Sequence, residues 1–374
     1  MKILFTGGGT GGHFYPVIAI AQALYENAKE KKILPPKLYF MAPSQYNPRA
    51  LFDNDIEFVQ VPAGKIRRYF SILNFTDLFK TLYGIFSATI KMYQIYPDVV
   101  FGKGGYASFP PLFAAKLLRI PVIIHESDSS PGRVNSWAGK FAQKIAISYS
   151  NVADSFNKDK VAFTGNPIRK EIITPLSNGA REFLKLEENT PTIFVLGGSQ
   201  GAQNINDTII DSLPELVSKY QIIHQTGKKN FKIVDETAKI ILKDNPYAYR
   251  YHPFDYLNDL SMRMSAGVSD LIISRAGSSI FEIAVWGIPS IIIPLSKKVS
   301  HDQEMNAFAY AHSGACTVIK EENMSSHILI SEIDRIINNQ SIKERMSKSA
   351  KEFGHIDAAS KIANVILDIA LSHE

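Results

Sequence analysis

The sequence predicts an α/β protein built from two doubly wound, Rossmann-like domains. Short apolar segments of strand length alternate along the whole chain with longer segments whose apolar residues recur at helical spacing. This alternation is typical of parallel sheets that are covered by helices on both faces. The pattern restarts near the middle of the chain, because a strand followed by a glycine-rich turn opens both 2–12 and 192–202. A chain of 374 residues is also long enough for two domains.

The first half contains six segments with the length and apolar content of strands: 2–6, 37–42, 56–61, 98–101, 122–125 and 144–148. The second half contains five more: 192–196, 221–225, 247–251, 271–274 and 290–294. Between them, the polar stretch 165–190 with Pro167, Pro175 and Gly179 is typical of a linker. We therefore expect an N-terminal domain at 1–164 and a C-terminal domain at 165–356. A helical pattern at 358–369 predicts that the last segment, 357–374, returns to the first domain.

Composition limits the class of protein. Hydrophobic residues make up 45% of the chain and charged residues 21%, as in a globular protein with a full core. The single cysteine, Cys316, excludes an internal disulfide and fits a reducing compartment. The N-terminal apolar run is too short for a signal peptide, and the apolar run 283–295 contains two prolines and is too short to span a bilayer. We expect no membrane crossing.

The glycine-rich turn at 7–13, GGGTGGH, follows the first strand directly. Glycines leave the backbone amides open to a phosphate and permit positive φ angles. A helix is expected to follow, with Pro16 in its first turn. The spacing also satisfies G-x-G-x-x-G, but a dinucleotide site expects an acidic residue after the second strand, where this chain has Pro43 and Ser44. The turn therefore predicts a phosphate corner, and His13 adds a group that can accept a proton near neutral pH.

Other strand ends carry polar groups as well. In the first half, a second glycine turn at 102–106 precedes a helix expected at 108–118, and His125-Glu126-Ser127-Asp128 follows the fifth strand. The carboxyl ends of parallel strands share one sheet edge, so these groups are expected to form one site. The alternative is that His125 and Glu126 only satisfy loop amides.

In the second half, the segments 197–201 and 274–282 offer amides and hydroxyls to a phosphate. Glu282 could bind a ribose or could simply complement a helix dipole. Gln303 could contact a sugar or could cap its helix. Asp53-Asn54-Asp55 fits a D-x-D metal pattern, but it precedes a strand among turn residues, and we expect no metal there.

Basic and aromatic residues are concentrated between Lys65 and Lys103, where six basic residues stand against two acidic ones. More than one helical face is apolar in this stretch. The pattern fits peripheral attachment of the 65–91 region to an anionic bilayer, and it fits equally a core helix with a solvated basic rim. No nucleic-acid motif accompanies it, so nucleic acid is not an expected partner.

Six segments in order along the chain resemble the MurG family. They read GGGTGGH at 7–13, GKGGYAS at 102–108, HESD at 125–128, GNPIR at 165–169, GGSQGA at 197–202 and SRAGSSIFE at 274–282. The resemblance implies a GT-B fold with two domains that face each other across a cleft, an N-terminal acceptor domain and a C-terminal donor domain. It implies transfer of N-acetylglucosamine from UDP-GlcNAc to lipid I, undecaprenyl-pyrophosphoryl-MurNAc-pentapeptide, in peptidoglycan synthesis.

The resemblance also assigns roles to residues. It places the following at UDP-GlcNAc: Thr10, Gly11, Gly12, Asp128, Arg169, Ser199, Phe254, Ser278, Ser279, Ile280, Phe281, Glu282 and Gln303. It places Gly104, Gly105, Tyr106 and His125 at the acceptor. Two positions depart from the family pattern: Asp128 stands where many members have Asn, and Asp302 interrupts a His-Gln pair. An ionised Asp128 cannot donate a hydrogen bond to the donor sugar.

The expected chemistry is an inverting displacement in which the acceptor 4-hydroxyl attacks the anomeric carbon and UDP departs. His13 is the candidate general base, because a helix N-terminus disfavours its protonated form, and Glu126 is the competing candidate. Neither a cofactor nor a metal is expected. The expected partners are UDP-GlcNAc, lipid I, an anionic inner-leaflet surface reached through 65–91 and other cell-wall synthesis proteins, at the cytoplasmic face of the cell membrane.

Three alternatives remain open from the sequence. The first is another GT-B transferase that uses a UDP-sugar and a different glycolipid acceptor. The second is a dinucleotide-dependent oxidoreductase, and the third is a nucleotide-sugar sensor that would keep Glu282 and would not need His13.

Overall fold

The computed structural model describes residues 1–65, 73–197, 201–296 and 300–372. The chain divides into two compact units: unit 1 is 1–169 with 355–374, and unit 2 is 170–354. Each unit is built on one parallel sheet, as the alternation of strands and helices predicts.

The sheet of unit 1 has seven strands in the order β3-β2-β1-β4-β5-β6-β7. Their bounds are β1 Lys2–Thr6, β2 Lys37–Ala42, β3 Ile56–Gln60, β4 Val99–Gly102, β5 Val122–Glu126, β6 Lys144–Ile147 and β7 Val161–Phe163. The central strands are apolar and buried along almost their full length, which is typical of a parallel sheet with helices on both faces.

The helices of unit 1 are α1 Gly11–Glu30, α2 Pro48–Asp53, α3 Leu73–Ile95, α4 Phe109–Leu117, α5 Arg133–Ala138 and the C-terminal α15 Ala358–Leu371. Helix α15 packs against α1 through buried apolar residues of both helices. The Asn27 side chain donates to the Ser360 carbonyl at 3.0 Å, and Lys31 pairs with Asp368 at 2.6 Å. The last helix of the chain therefore completes the core of unit 1.

The sheet of unit 2 has six strands in the order β10-β9-β8-β11-β12-β13. Their bounds are β8 Thr192–Leu196, β9 Gln221–Gln225, β10 Tyr251–Phe254, β11 Leu271–Ser274, β12 Ser290–Ile292 and β13 Cys316–Val318. The helices are α6 Lys170–Ile173, α7 Ala180–Leu184, α8 Gln203–Lys219, α9 Phe231–Ile241, α10 Asp259–Val268, α11 Ser279–Trp286, α12 His301–His312, α13 Ser326–Ile337 and α14 Gln340–Phe353.

Most strands lie where the sequence predicts them, with three differences. The strand expected at 247–251 was wrong, because Ala248–Arg250 forms a 3-10 turn and β10 starts only at Tyr251. The strands β7 and β13 were not predicted. Each is three residues long and lies at a sheet edge, so neither carries the long apolar run of a central strand.

Two details of the helices also differ from expectation. Helix α1 begins at Gly11, so Pro16 lies inside it and not in its first turn. Because proline has no N–H, the Gly12 carbonyl loses its donor four residues on. The stretch 165–190, which was predicted to be a linker, contains the short helices α6 and α7, and unit 2 begins within it at Lys170.

Each sheet has one position at which the direction of strand addition reverses. In unit 1 the chain runs outward from β1 to β3 and then returns to place β4 on the other side of β1. In unit 2 the same reversal places β11 beside β8. In doubly wound sheets, ligands bind at the carboxyl ends of the two strands that flank this reversal. A ligand site is therefore expected at the loops after β1, β4, β8 and β11.

Candidate functional site

In unit 1, the two loops at the reversal are rich in glycine and interlock. Gly9 after β1 has a φ of 93°, and Gly104 and Gly105 after β4 have φ values of 86° and 78°. Side chains rarely adopt these angles. A Cβ on Gly7 would lie 3.0 Å from the Cβ of Lys103, and a Cβ on Gly105 would lie 3.1 Å from Nδ1 of His13. The glycines therefore allow each loop to pack against a side chain of the other.

His13 is held in one tautomer. Its Nδ1 lies 3.3 Å from the carbonyl oxygen of Gly8, which can only accept, so the proton sits on Nδ1 and the Nε2 lone pair is left to take a proton. Burial, followed by the charge of Lys103, lowers the pKa of His13, although Asp128 and the Gly8 carbonyl act in the opposite direction. The side chain is partly exposed in the first turn of α1. Its neutral form is therefore available at neutral pH.

Glu126, the competing base, has its two carboxylate oxygens occupied by loop donors. Oε1 accepts from the Asp128 amide at 3.0 Å, and Oε2 accepts from the Gly132 amide and the Asn135 side chain, both at 2.9 Å. Burial, followed by the nearby Asp128, raises the pKa of Glu126. The carboxylate thus organises the loop that joins β5 to α5.

His125 is fully buried, and its Nε2 lies 3.0 Å from the Gly165 carbonyl and 3.1 Å from the Ser148 hydroxyl. Burial, with Lys103 next, lowers the pKa of His125 well below its ordinary value. Because the His125 side chain is fully buried, it cannot contact an acceptor substrate directly. Of the other predicted acceptor residues, Gly104 is buried, whereas Gly105 and Tyr106 are partly exposed beside the first loop.

Lys103 was counted among the basic residues between Lys65 and Lys103, and it also belongs to the glycine turn at 102–106 that was expected at the site. In the structure it is a buried residue of that turn, because it is only 1% exposed and its amide donates to the Thr6 carbonyl at 2.8 Å. Within the part of the chain that the structure describes, its Nζ has no hydrogen-bond partner. Burial lowers the pKa of Lys103 to about 8 against the opposing effect of Glu126 and Asp128. The sequence feature that could have indicated its burial is its position, directly after a buried strand and before two glycines.

The other donor residues predicted in unit 1 lie around the start of α1. Thr10 caps α1, and its carbonyl accepts from the amides of His13 and Phe14, both at 3.2 Å. Gly11 and Gly12 form the first turn and are partly exposed. The guanidinium of Arg169 lies 3.8 Å from the centre of the Tyr15 ring, which fixes its position by a cation–π contact.

In unit 2, the predicted donor segment follows β11 and enters α11. Ser278 caps the helix, Ser279 begins it, and Glu282 lies in its first turn. The side chains of Ile280 and Phe281 are buried in the core of the unit. Only their backbone groups can therefore meet a ligand. Ser199, on the loop after β8, lies outside the described residues.

An ion pair that the sequence did not suggest lies at the carboxyl edge of the sheet in unit 2. Arg275 donates to Glu321 at 2.6 Å and to the Ile293 carbonyl at 3.2 Å. Glu321 also accepts from the Asn204 side chain at 2.7 Å. Burial alone would raise the pKa of Glu321, but hydrogen bonding and the charge of Arg275 lower it overall. This network joins the segments that follow β8, β11, β12 and β13.

Gln303 and Phe254 both accept hydrogen bonds from other residues of unit 2. The Gln303 side-chain oxygen accepts from the Leu295 amide at 3.1 Å, which ties α12 to the loop after β12. The Phe254 carbonyl accepts from the amide and hydroxyl of Thr226 at 2.9 and 3.1 Å. A ligand at either position would have to share these groups.

Among the described residues, no group of three or more His, Cys, Asp or Glu side chains is placed to hold a metal ion. Asp53 pairs instead with Arg49 at 3.5 Å within α2. Within the same ranges, none of the helices has both the length and the apolar character needed to cross a bilayer.

Two Rossmann-like units, each with a parallel sheet whose strand order reverses once, are the architecture of the GT-B fold, and the family matches identify the chain as a glycosyltransferase of this class. Residues 3–147 match the Glycosyltransferase family 28 N-terminal domain, and residues 192–362 match the Glycosyltransferase family 28 C-terminal domain. The chain belongs to this family, in its MurG group.

Curated relatives extend over nearly the whole chain. A Treponema denticola protein named UDP-N-acetylglucosamine--N-acetylmuramyl-(pentapeptide) pyrophosphoryl-undecaprenol N-acetylglucosamine transferase is 35% identical, over 96% of this chain and 93% of its own. A Clostridium kluyveri protein of the same name is 34% identical over 98% of both chains. The fold is also similar to Acinetobacter baumannii MurG, with a TM-score of 0.72 and 23% identity over 98% of this chain and 99% of that one. A UDP-GlcNAc 2-epimerase from Neisseria meningitidis shares the fold at a TM-score of 0.66 and 17% identity, over 98% of this chain and 100% of that one.

Proposed function

We propose that this protein transfers N-acetylglucosamine from UDP-GlcNAc to the 4-hydroxyl of MurNAc in lipid I, which forms lipid II for peptidoglycan synthesis. Relatives that match nearly the whole chain carry this transferase name. The mechanism rests on one observation at His13. Its Nδ1 faces the Gly8 carbonyl, which leaves Nε2 to accept a proton.

The proposed reaction is an inverting displacement. The acceptor 4-hydroxyl oxygen bonds to the anomeric carbon of the donor as the bond from that carbon to the UDP oxygen breaks. His13 takes the hydroxyl proton on Nε2, and UDP leaves with the electron pair. Backbone amides at the start of α11, together with the positive end of its dipole, are suited to stabilise the pyrophosphate charge. We assign Ser278, Ser279 and Glu282 to the donor in this unit, with Ser199, Gln303 and Phe254 as further donor contacts.

We assign the base role to His13 and a positioning role to Glu126. A base needs a lone pair that it can direct at the substrate hydroxyl, and the Glu126 carboxylate already accepts three hydrogen bonds. Thr10, Gly11, Gly12 and Arg169 lie at the same end of unit 1 as His13, which supports contact with the donor. The partly exposed Gly105 and Tyr106 are assigned to the acceptor, and His125 and Gly104 support them from the interior.

We also propose that unit 1 attaches peripherally to the cytoplasmic face of the cell membrane through α3. One face of this helix exposes a stripe of large apolar side chains: Phe75, Leu78, Phe79, Leu82, Tyr83, Phe86, Ile90 and Tyr93. The opposite face, which includes Asp77, Thr81, Ala88 and Met92, is buried. The stripe is therefore not the core side of the helix.

Cations on α3 and just before it in the sequence favour an anionic surface. Lys65 and Lys80 are exposed, and Lys91 donates to the Gln60 carbonyl at 2.6 Å at the side of the helix. An amphipathic helix with aromatic residues on one face and basic residues beside it is suited to the headgroup region of a bilayer. A lipid-anchored acceptor requires such a location. The remaining residues of the 65–91 prediction, 66–72, lie outside the described residues.

Release of UDP from UDP-GlcNAc, measured with and without a lipid I analogue, tests the proposed reaction. We expect release that depends on the analogue and a product that carries one added N-acetylglucosamine. Binding of UDP-GlcNAc without any turnover would instead identify a sensor. Turnover with diacylglycerol and not with the lipid I analogue would identify a transferase that makes a glycolipid from another acceptor.

A further inference from the structure

The segment 164–169, which follows β7, crosses the carboxyl edge of the sheet in unit 1. Strand β7 is the outermost strand on its side, and β6, β5 and β4 separate it from β1. The amides of Thr164 and Gly165 donate to the Ile147 carbonyl at the end of β6, at 3.0 and 3.2 Å. The Gly165 carbonyl lies 3.0 Å from Nε2 of His125 at the end of β5. The segment thus runs inward along the sheet edge, and its last residue, Arg169, reaches α1.

Arg169 meets α1 at the face of the Tyr15 ring. The guanidinium carbon lies 3.8 Å from the ring centroid, so the two planar groups are in van der Waals contact. A guanidinium standing on edge at this distance would bring a nitrogen too close to the ring, so the contact is face to face. Stacking uses the face of the guanidinium and none of its five N–H donors. The contact therefore fixes the guanidinium plane without using the groups that recognise a phosphate.

The Tyr15 ring is itself held by aromatic neighbours. The buried Phe14 lies 5.5 Å away between ring centroids and Tyr46, on the loop after β2, lies 5.9 Å away, and both contacts are edge-to-face. Tyr46 in turn packs on Phe14 at 5.3 Å. A Cβ on Gly11 would lie 3.0 Å from the Tyr46 hydroxyl oxygen and 3.4 Å from two carbons of the Tyr15 ring. A glycine at 11 therefore lets this aromatic cluster close over the first turn of α1.

We propose that Tyr15 is a positioning residue for the donor, and that it acts by holding Arg169 at the start of α1. A guanidinium held in one plane donates two parallel N–H groups to a phosphate, and it loses less side-chain entropy on binding than a free one. Tyr15 thereby preorganises Arg169 for the pyrophosphate of UDP-GlcNAc and for the charge that UDP gains as it leaves. The identity of the ligand rests on the proposed function, whereas the hold of Tyr15 on Arg169 does not.

The hold of Tyr15 on Arg169 is measured by NMR without any ligand. In protein that carries isotope-labelled arginine, the Nε–H resonance of Arg169 is assigned by its absence from the spectrum of Arg169→Met. A guanidinium stacked on an aromatic face experiences the ring current, so we expect an upfield proton shift in the wild type and in Tyr15→Phe. The shift should vanish in Tyr15→Leu. An equal shift in the wild type and in Tyr15→Leu would overturn the hold.

Calorimetric titration with UDP tests what the contact contributes to binding. We expect Tyr15→Leu to weaken UDP binding by about 3- to 30-fold, the range of a cation–π contact, and Tyr15→Phe to keep the wild-type affinity. In an Arg169→Met background the loss from Tyr15→Leu should disappear, because Tyr15 acts only through the guanidinium. Tyr247→Leu is the matched control. It removes a similar contact with Arg250, at 4.4 Å in unit 2, and should bind UDP as the wild type does.

Pentafluorophenylalanine in place of Tyr15 keeps a ring of similar shape and reverses the charge of its face. It therefore decides the result if Tyr15→Leu does not fold, and we expect it to weaken UDP binding to a similar extent. Wild-type affinity in this variant, or losses that stay additive with Arg169→Met, would overturn the positioning role. A wild-type protein that binds no UDP would reject the proposed function, and the NMR shift would then decide whether Tyr15 holds Arg169.

Discussion

The Nδ1 atom of His13 lies 3.1 Å from the position that a Cβ on Gly105 would occupy. Gly105 has a φ of 78°, so both its backbone angle and its neighbour require a residue without a side chain. The glycine loop after β4 therefore serves to place the imidazole and not only to leave amides open.

Gly105→Ala should lower kcat strongly, because the added methyl group pushes the ring away from the Gly8 carbonyl that fixes its tautomer. A shift of about 1 Å in a catalytic group can reduce the rate by about 100-fold. UDP-GlcNAc binding, measured by calorimetry, should change little. Gly179→Ala is the matched control, since Gly179 has a φ of 69° but nothing within 4 Å of an added Cβ. Equal losses in both variants would point to backbone strain and not to His13.

His13→Gln should reduce kcat by about 100- to 10,000-fold, which is the usual contribution of a general base. The KM for UDP-GlcNAc should stay near its wild-type value. His327→Gln on the exposed surface of α13 is the control, and it should behave as wild type. A raised KM with an unchanged kcat would show that His13 binds substrate and does not take the proton.

The sequence predicted the sheets well because parallel strands are short, buried and apolar. Strands β1, β2, β8, β9 and β11 agree residue for residue with the expected segments. The glycine turns located the reversal of strand order in both sheets, since each follows a strand that flanks it. These signals are local.

What the sequence could not predict depends on packing between distant segments. The burial of Lys103 was not predicted, because it depends on the distant Gly7, whose missing side chain leaves space for the lysine. The role of Glu126 depends on Asn135, nine residues further on, whose amide reaches back to the carboxylate. The pairing of Arg275 with Glu321 joins residues 46 positions apart. Each of these side chains is interpretable only when its partner is known.

Glu126→Gln should destabilise unit 1 by about 1–3 kcal/mol, because an amide replaces an acceptor that three donors share and leaves a buried donor unpaired. Urea unfolding provides the measurement. Glu57→Gln is the control, since Glu57 forms only an exposed pair with Lys37 at 3.2 Å and should cost less than about 1 kcal/mol. Wild-type stability combined with lost turnover would revive Glu126 as the base.

Replacing two residues of the α3 stripe, Phe79→Ser with Phe86→Ser, should weaken co-sedimentation with vesicles. Both rings are more than half exposed, so their loss removes apolar area from the bilayer contact and leaves the core intact. Binding should also be weaker on phosphatidylcholine than on phosphatidylglycerol vesicles. Ile240→Ser, which removes an exposed apolar side chain of α9, is the control. Equal binding of all variants to both lipids would rule out attachment through α3.

His224 should make unit 2 sensitive to acid. The Asn206 side-chain nitrogen donates to the Thr226 carbonyl at 3.1 Å, so its oxygen faces His224 Nε2 at 3.0 Å and requires a proton there. The His224 Nδ1 then accepts from the Tyr251 hydroxyl at 2.8 Å. The network is satisfied by a neutral ring, and burial lowers the pKa of His224 to about 3.

The unfolded chain takes up a proton at His224 near pH 6.5, whereas the folded chain does so only near the lowered pKa of about 3. Stability from this residue is therefore complete above pH 6.5 and falls by about 1.4 kcal/mol for each pH unit between these two values. Urea unfolding followed by Trp286 fluorescence in a Trp137→Phe background measures it. His224→Gln should have a lower free energy of unfolding at pH 7 and a shallower decline towards pH 4. Parallel pH curves for the two proteins would show that other groups carry the acid sensitivity.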